Sequence, residues 1–167
     1  MKKIEAKDMN YPVFNLKNDW LMLSAAKKDG TANGMTCSWG GMGVLWGKDV
    51  VFIFVRRSRY TMEFMDEAET FSLSWFDDPG HKLLGYFGKA SGRDEDKIAK
   101  AGLTMTLESG APVYAEATRT ILCRKLFKQE MSEASFIDRE SWEKWYADGN
   151  VHDMFVGEIL SVEEKGE

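Results

Sequence analysis

The sequence predicts a mostly β protein with short helices, in which six strands form an antiparallel barrel. Aromatic residues are abundant in the 167-residue chain, with ten Phe, six Trp and five Tyr, and they favour strands or a ring-stacking site. The strand-like segments are separated by short helical ones, without the regular alternation of a doubly wound sheet. A chain of this length can bury one complete core, so we expect a single domain over residues 1–167.

The predicted strands follow from apolar runs and turn residues. The continuous apolar run at 50–55 is the clearest strand, and we expect it to be buried on both faces. Asp29-Gly30 is a strong hairpin signal between the first two strands. The closely spaced glycines from Gly40 to Gly47 predict a loop. The other five predicted strands are 20–27, 31–38, 71–75, 118–131 and 154–162, whereas residues 1–19 are expected to be irregular and Pro112 to lie in a loop.

Four helices are expected between these strands. Thr61 is placed to cap the first, over residues 61–68, and Asp78-Pro79 opens the second, which continues through Phe87. The segment that begins at Ser91 resembles a capping box with Asp94, and Gly102 stands where a helix ends. The fourth helix is predicted over residues 138–148, where Gly149 follows it.

Composition excludes several classes of protein. The net charge is −5, which argues against a general nucleic-acid binder. The first eight residues contain no apolar stretch after their lysines, so we expect no signal peptide, no membrane span and a cytoplasmic protein. Cys37 and Cys123 are interpreted as free thiols in a reducing compartment.

Familiar catalytic motifs are missing from the sequence. His81 and His152 have no metal-ligand spacing with the two cysteines, so we expect no metal. The glycines do not have the spacing of a dinucleotide fingerprint. Ser38 is not in a nucleophile-elbow motif, so hydrolase chemistry has no support.

Residues 56–61 form a candidate phosphate site. The segment reads Arg56-Arg57-Ser58-Arg59-Tyr60-Thr61, and guanidinium groups, hydroxyls and the amides at the start of a helix are donors that suit a phosphate. The alternative interpretation is a solvated strand end whose arginines pair with the surplus acidic residues.

Residues 33–41 form a candidate site for a flat heterocycle. Thr36 and Ser38 face the same way on a strand, whereas Cys37 faces the packing, and Trp39 is placed to cover a ring. The alternative is a strand with a buried Trp and a glycine turn. His152 has a similar alternative, in which it is a loop histidine bonded to a neighbouring Asp.

Four segments together resemble the flavin reductase-like, FMN-binding split-barrel family, and particularly its flavoredoxin branch. They read Asn33-Gly34-Met35-Thr36-Cys37-Ser38-Trp39, Arg56-Arg57-Ser58-Arg59-Tyr60-Thr61, Gly88-Lys89-Ala90-Ser91-Gly92-Arg93-Asp94-Glu95-Asp96-Lys97 and His152-Asp153-Met154-Phe155-Val156-Gly157-Glu158-Ile159. The resemblance implies a Greek-key split barrel that dimerises, with FMN near the subunit interface. It departs from the family at residues 46–49, where a Pro-Pro pair is usual, and at residues 71–74, where an Asn is common.

The resemblance also implies the roles of individual residues. His152 is expected at the redox face, and Lys89 and Ser91 are expected to approach the flavin from the adjoining turn. His152 or Lys89, as the catalytic residue, would be the donor that stabilises negative charge on the ring edge. The cofactor-binding residues implied are Met35, Thr36, Cys37, Ser38, Trp39, Arg56, Ser58, Arg59, Tyr60, Thr61, Lys89 and Ser91.

The expected activity is therefore FMN-dependent oxidoreduction of the flavin reductase type, with NADH or NADPH as reductant. An FMN electron carrier of the flavoredoxin type, reduced by a partner protein, is a second hypothesis. A non-redox barrel that binds a phosphate ligand, or a pyridoxal-type phosphate enzyme, is a third.

Overall fold

Antiparallel strands dominate the computed structural model, which describes residues 1–166. Eight of the strands form one sheet, in the order β3-β2-β6-β9-β10-β5-β4, with β1 added beside β10. A separate hairpin contains β7 and β8. The strands are β1 (Lys2–Ile4), β2 (Leu21–Ala26), β3 (Ala32–Cys37), β4 (Gly40–Leu45), β5 (Lys48–Arg56), β6 (Thr70–Trp75), β7 (Met105–Glu108), β8 (Ala111–Tyr114), β9 (Arg119–Glu130) and β10 (His152–Glu164).

The ends of the sheet make it a split barrel. β3 and β4 occupy opposite edges of the strand order, yet only Ser38 and Trp39 separate them in sequence. The sheet must therefore curve until its edges approach each other, and in the described chain these two edges are not paired. This confirms the mostly β, antiparallel split barrel. All six predicted strands are present, and β1 and β4 bring the sheet to eight strands.

Strand β5 shows why an apolar run does not reveal its faces. Val51, Ile53 and Val55 are buried in the main core, whereas Phe52 and Phe54 are only half-buried. The prediction that this run is buried on both faces was right for Val50 but wrong for Phe52 and Phe54, because apolar side chains also occupy the partly exposed outer face. The alternation of a strand is therefore present but hidden by composition.

Two turn regions had different outcomes. The Asp29-Gly30 hairpin is confirmed, since the Lys27 amide donates to the Thr31 carbonyl at 2.8 Å. The loop predicted from Gly40 to Gly47 was wrong for Gly40, Gly41 and Gly43, which lie in β4, whereas Gly47 does lie in the turn between β4 and β5. Gly40 is needed in β4, since a Cβ would collide with the Phe52 carbonyl oxygen.

Short helices join the strands, and several begin away from their predicted positions. The Asp78 carboxylate accepts bonds from the Leu83 and Leu84 amides, so the second predicted helix begins later than expected. Asp96, and not Ser91, caps the third predicted helix. Thr61 begins its helix without capping it. The helices are α1 (Leu16–Asp19), α2 (Thr61–Glu67), α3 (Lys82–Lys89), α4 (Lys97–Lys100) and α5 (Arg139–Tyr146).

Other expectations concern the termini, Pro112 and the cysteines. Residues 1–19 contain β1, α1 and two short 3-10 turns, so the prediction that they are irregular was wrong. Pro112 lies in β8 opposite Leu107, and not in a loop. Cys37 and Cys123 are free and buried, and burial raises the pKa of both thiols. Residues 1–166 contain no helix whose length and apolar content would let it cross a membrane.

Candidate functional site

Two adjoining cavities share the side chain of Arg59. The larger, of about 220 Å³, we call the ring cavity; its lining residues are Met35, Thr36, Cys37, Ser38, Trp39, Phe54, Arg56, Arg59, Trp145 and His152. The smaller, of about 120 Å³, we call the anion cavity; its lining residues are Asn33, Ser58, Arg59, Tyr60, Thr61, Lys89, Ala90, Ser91, Gly92 and Lys97. The two candidate segments, 33–41 and 56–61, therefore both line this pair of cavities.

Strand β3 forms one wall of this site. The Thr36 hydroxyl donates to the Leu84 carbonyl of α3, which ties the strand to the helix. Cys37 belongs to the hydrophobic core, and its thiol donates to the Trp39 carbonyl at 3.2 Å. Burial raises the pKa of Cys37 to about 11. Its thiol is therefore a packing group, as the alternation of the strand predicts, and not a reactive one.

Aromatic side chains surround the mouth of the ring cavity. The Trp39 ring lies 5.0 Å from Trp145 in an edge-to-face arrangement and 5.2 Å from His152. Trp39 is 39% exposed and Trp145 is 44% exposed. The alternative interpretation, in which Trp39 is buried, is therefore wrong. Both indoles can contact a ligand at this opening.

His152 is a buried, neutral group of the ring cavity. It is 7% exposed, and its Nδ1 lies 3.0 Å from the Tyr146 hydroxyl. Burial, and secondarily the charge of Arg56, lower the pKa of His152 to about 4, although Asp153 opposes this shift. The Asp153 carboxylate is engaged by Arg57 and Lys128 instead, so His152 is not a loop histidine bonded to its neighbour.

Arg56 lies at the ring cavity and is held by backbone carbonyl groups. It donates to the Asn150 carbonyl at 2.8 Å and to the Trp145 carbonyl at 3.1 Å. These two hydrogen bonds hold the segment that contains α5 against the ring cavity. Arg56 lines the ring cavity alone, whereas Arg59, with which the sequence grouped it in a phosphate site, lines both cavities.

The anion cavity contains two cations, of which Lys97 is buried and Arg59 is half-buried. Arg59 donates to the carbonyls of Gly88 and Phe87, at 2.6 and 2.9 Å. Lys97 is 3% exposed and donates to the Gly34 carbonyl at 2.6 Å. Burial, and then repulsion from Arg59, lower the pKa of Lys97 to about 8, with Glu95 acting in the opposite direction.

Within the described part of the chain, neither of these cations has a carboxylate within salt-bridge distance. In residues 1–166, Arg59 and Lys97 form no salt bridge, and Arg56 forms none either. The surplus acids pair instead with Arg57 and Arg93. A buried charge is costly unless it is paired, so two adjacent unpaired cations beside a cavity favour an anionic ligand there.

Asn33 and Gly92 shape the anion cavity. Asn33 is 4% exposed and donates through Nδ2 to the Thr61 hydroxyl at 2.8 Å. A Cβ on Gly92 would collide with Asn33 Oδ1 and would lie 2.9 Å from the Tyr60 ring. Only glycine therefore lets the loop after α3 approach β3 this closely.

The remaining predicted residues divide between the two cavities. Lys89 is exposed at the anion cavity, so it does not share the ring cavity with His152. Ser91 also lines the anion cavity, where its hydroxyl accepts from the Arg93 amide at 3.2 Å. Ser58 accepts from Asn150 Nδ2 at 2.9 Å.

Sequence reasoning missed several residues of the site. Lys97 lay within the predicted third helix, and nothing local distinguishes it from the exposed Lys100. Phe54 belonged to the strand that was expected to be wholly buried. Trp145 and Tyr146 lie on α5, whose aromatic content was the one available signal. Asn33 stood in the segment that we identified, but was not assigned a role.

Comparisons with known proteins identify the family. A sequence model described as "Flavin reductase like domain" matches residues 17–167. Flavoredoxin from Methanosarcina acetivorans is structurally similar at a TM-score of 0.68, with 23% identity over 99% of this chain and 75% of that chain. Flavoredoxin of Desulfovibrio vulgaris also has a TM-score of 0.68, with 21% identity over 99% of this chain and 76% of that one.

A third similar structure is an FMN-binding protein from Thermus thermophilus. Its TM-score is 0.64 at 20% identity, over 99% of this chain and 82% of that chain. At these identities the structural likeness establishes the fold, and a search of curated protein sequences returns no match. The sequence match spans nearly the whole chain, and the chain therefore belongs to the flavin reductase-like domain family.

Proposed function

We propose that the chain binds FMN and acts as an FMN-dependent oxidoreductase of the flavin reductase type, with NADH or NADPH as reductant. The observation that carries this proposal is the pair of cavities that meet at Arg59, one lined by aromatic groups and the other by unpaired cations. A mononucleotide flavin has the same two parts, a flat ring system and a phosphate. When bound, the flavin would supply the hydride and electron transfer.

The anion cavity fits a phosphate by its charge and by its donors. Arg59 and Lys97 supply positive charge without a carboxylate to cancel it, and a phosphate dianion would satisfy both. Ser58, Thr61 and Ser91 add hydroxyl groups to the lining. Lys97 thereby takes the place in this proposal that the sequence gave to Arg56.

The ring cavity fits the flat end of the same ligand. Trp39 and Trp145 offer aromatic surfaces at the opening, and Thr36 and Ser38 line the β3 wall. His152 faces the same space and is neutral at physiological pH because its pKa is about 4. In this proposal His152 binds the ring edge, Arg56 holds α5 in place, and Lys89 remains at the phosphate end.

Titration of FMN into the purified flavin-free chain tests the proposal. We expect quenching of tryptophan fluorescence, because Trp39 and Trp145 lie at the ring cavity, together with a perturbed visible flavin spectrum. Riboflavin, which lacks the phosphate, is the matched ligand, and we expect it to bind more weakly. Absence of any spectral change at millimolar FMN would contradict the proposal and would leave a non-redox phosphate ligand, such as a pyridoxal-type compound, as the alternative to titrate.

A flavoredoxin-type electron carrier is the second candidate. The exposed indoles at the mouth of the ring cavity support it, since a partner protein could approach the ring edge there, and two similar structures are named flavoredoxin. Anaerobic mixing of the FMN-loaded chain with NADH and with NADPH separates the candidates. Bleaching by either nucleotide supports the reductase, whereas bleaching only by a reduced redox protein supports the carrier.

We also propose that the chain forms a homodimer through the outer face of β4, β5, β9 and β10. Trp46 is 61% exposed and Val44 is 72% exposed, and the Trp46 ring lies 6.0 Å from Phe127 on β9. Such an apolar patch is typical of an interaction surface. Light scattering should give twice the monomer mass for the wild type and a smaller mass for Trp46→Glu; a monomeric wild type would contradict the proposal.

A further inference from the structure

The hydroxyl of Tyr146 is the polar group that engages the imidazole of His152. It lies 3.0 Å from His152 Nδ1 and 3.7 Å from the sulfur of Met131. Tyr146 belongs to α5 and is buried, whereas His152 is the first residue of β10. A residue from the segment between β9 and β10 thus contacts Nδ1 of this ring.

The surroundings of this pair decide which atom donates. The Arg56 guanidinium lies 5.5 Å from the centre of the Tyr146 ring, and a nearby cation makes a phenol a better donor and a poorer acceptor. Tyr146 has one proton, and an imidazole nitrogen is a stronger acceptor than a thioether sulfur. The proton of Tyr146 is therefore directed to Nδ1 of His152 and not to Met131.

The other charged groups near His152 do not compete for Nδ1. The carboxylate of Asp153, on the same strand, is 2.9 Å from Arg57 and 3.0 Å from Lys128. Arg56 from β5 disfavours a second positive charge on the imidazole. A neutral imidazole that accepts at Nδ1 must carry its proton on Nε2.

Nε2 is the nitrogen left for the ring cavity. His152 lines that cavity, and Nε2 is not among the buried polar atoms without a partner. We propose that Tyr146 is a positioning residue that holds His152 in the neutral tautomer with its proton on Nε2, so that the imidazole presents an N–H donor to the ring cavity. The tautomer does not depend on the ligand, whereas its consequence for a flavin rests on the proposed function.

Nitrogen-15 NMR of the flavin-free full-length chain tests the tautomer directly. The chain has two histidines, so a His81→Asn variant identifies the His152 resonances. At pH 7 we expect Nδ1 of His152 in the range of an unprotonated ring nitrogen and Nε2 in the range of a protonated one. The reverse pattern, or two averaged resonances, would overturn the proposal whether or not the chain binds FMN.

Two variants separate positioning from packing. In Tyr146→Phe we expect both ring resonances to move toward the averaged position, because the donor to Nδ1 is lost. In Met131→Leu, the matched control, we expect the wild-type pattern, because the sulfur is not the acceptor that orders the pair. A tautomer that changes in Met131→Leu would mean that the phenol donates to sulfur, and the proposal would then be wrong.

The FMN-loaded chain tests the consequence. An N–H donor at the ring edge stabilises the negative charge that develops on reduction, so Tyr146→Phe should lower the flavin midpoint potential relative to wild type and Met131→Leu. An equal potential in all three, together with the expected tautomer, would overturn the role of His152 toward the ring. Failure of the wild type to bind FMN would overturn the proposed function and leave the tautomer assignment standing.

Discussion

His152 and Arg56 lie directly opposite each other on the antiparallel strands β10 and β5. Each is the first residue of one of the four segments that resemble the family, so the register of two strands makes neighbours of residues far apart in the chain. This pairing brings the guanidinium near the imidazole, where its charge helps burial to keep the histidine neutral. Arg56 is therefore an electrostatic and structural partner of His152.

The acid sensitivity of folding should reveal this environment. His152 has a folded-state pKa of about 4 against an ordinary value of 6.5, so above pH 6.5 it is neutral in both states. As pH falls from 6.5 toward 4, the unfolded chain binds a proton that the folded chain does not, and stability is lost. Between pH 7 and pH 5 the titration of His152 should lower the free energy of unfolding by about 2 kcal/mol.

Urea unfolding at the two pH values measures the loss, and His152→Asn should remove it. Tyr114→Phe is the control, because burial raises the pKa of that phenol to about 12 and it stays protonated throughout. The control should retain the wild-type pH dependence. An unchanged pH dependence in His152→Asn would contradict the assignment of His152 as a buried neutral group.

Replacement of Lys97 should change folding and binding in opposite directions. Its pKa is about 8 in the folded chain against 10.5 ordinarily, so at pH 7 it is charged in both states and the buried charge costs stability. Lys97→Met should raise the free energy of unfolding of the flavin-free chain by about 1–2 kcal/mol, after the loss of its hydrogen bond. The same variant should bind FMN more weakly.

The stability difference between Lys97→Met and the wild type should depend on pH. Between pH 8 and 10.5 the unfolded chain retains a proton that folded Lys97 has lost, so the wild type becomes more stable as pH rises. The advantage of Lys97→Met should shrink over this interval. Chemical denaturation at pH 7 and 9.5 makes the comparison, and an advantage that grows with pH would show that Lys97 is not a desolvated cation.

Arg59 should contribute to phosphate binding more than an exposed arginine does. Arg59→Ala should weaken FMN binding by roughly 1.5–3 kcal/mol, as for a lost hydrogen bond to a charged group. Arg124→Ala is the matched control, because Arg124 is exposed and pairs with Glu158. Fluorescence titration with FMN and riboflavin measures both variants. An equal loss of riboflavin affinity in Arg59→Ala would mean that the change acts through the fold and not through the phosphate.

Gly92 should tolerate no side chain. Gly92→Ala places a Cβ against Asn33 and Tyr60, so we expect a loss of roughly 1–3 kcal/mol in the free energy of unfolding and weaker FMN binding. Gly85→Ala is the control, since Gly85 lies within α3 and its Cβ would meet nothing within 4 Å. That variant should gain about 0.5–1 kcal/mol. Equal stability of the two variants would contradict the close approach at Gly92.

Local sequence patterns predicted the strands better than the edges of the barrel. The Asp29-Gly30 turn and the apolar run of β5 are signals within a few residues, and both were interpreted correctly as to element. β4 was missed because its glycines have no strand propensity, and it forms only because β5 supplies a partner along its whole length. The starts of α3 and α4 were predicted at the wrong residues, because several acidic and hydroxyl residues nearby could each cap a helix N-terminus.

The amino-acid sequence by itself determined the class of fold, the family and the two segments that meet at the site, because hydrophobic periodicity, turn residues and motif order are properties of neighbouring residues. Only the tertiary structure decided that Lys97 lines the anion cavity with Arg59, that Arg56 lies opposite His152, and that the Tyr146 hydroxyl contacts Nδ1 of His152. Lys97 and the Gly34 carbonyl that it contacts are 63 positions apart. Burial and charge compensation depend on such distant partners. No local sequence pattern therefore indicates which of several lysines will be buried.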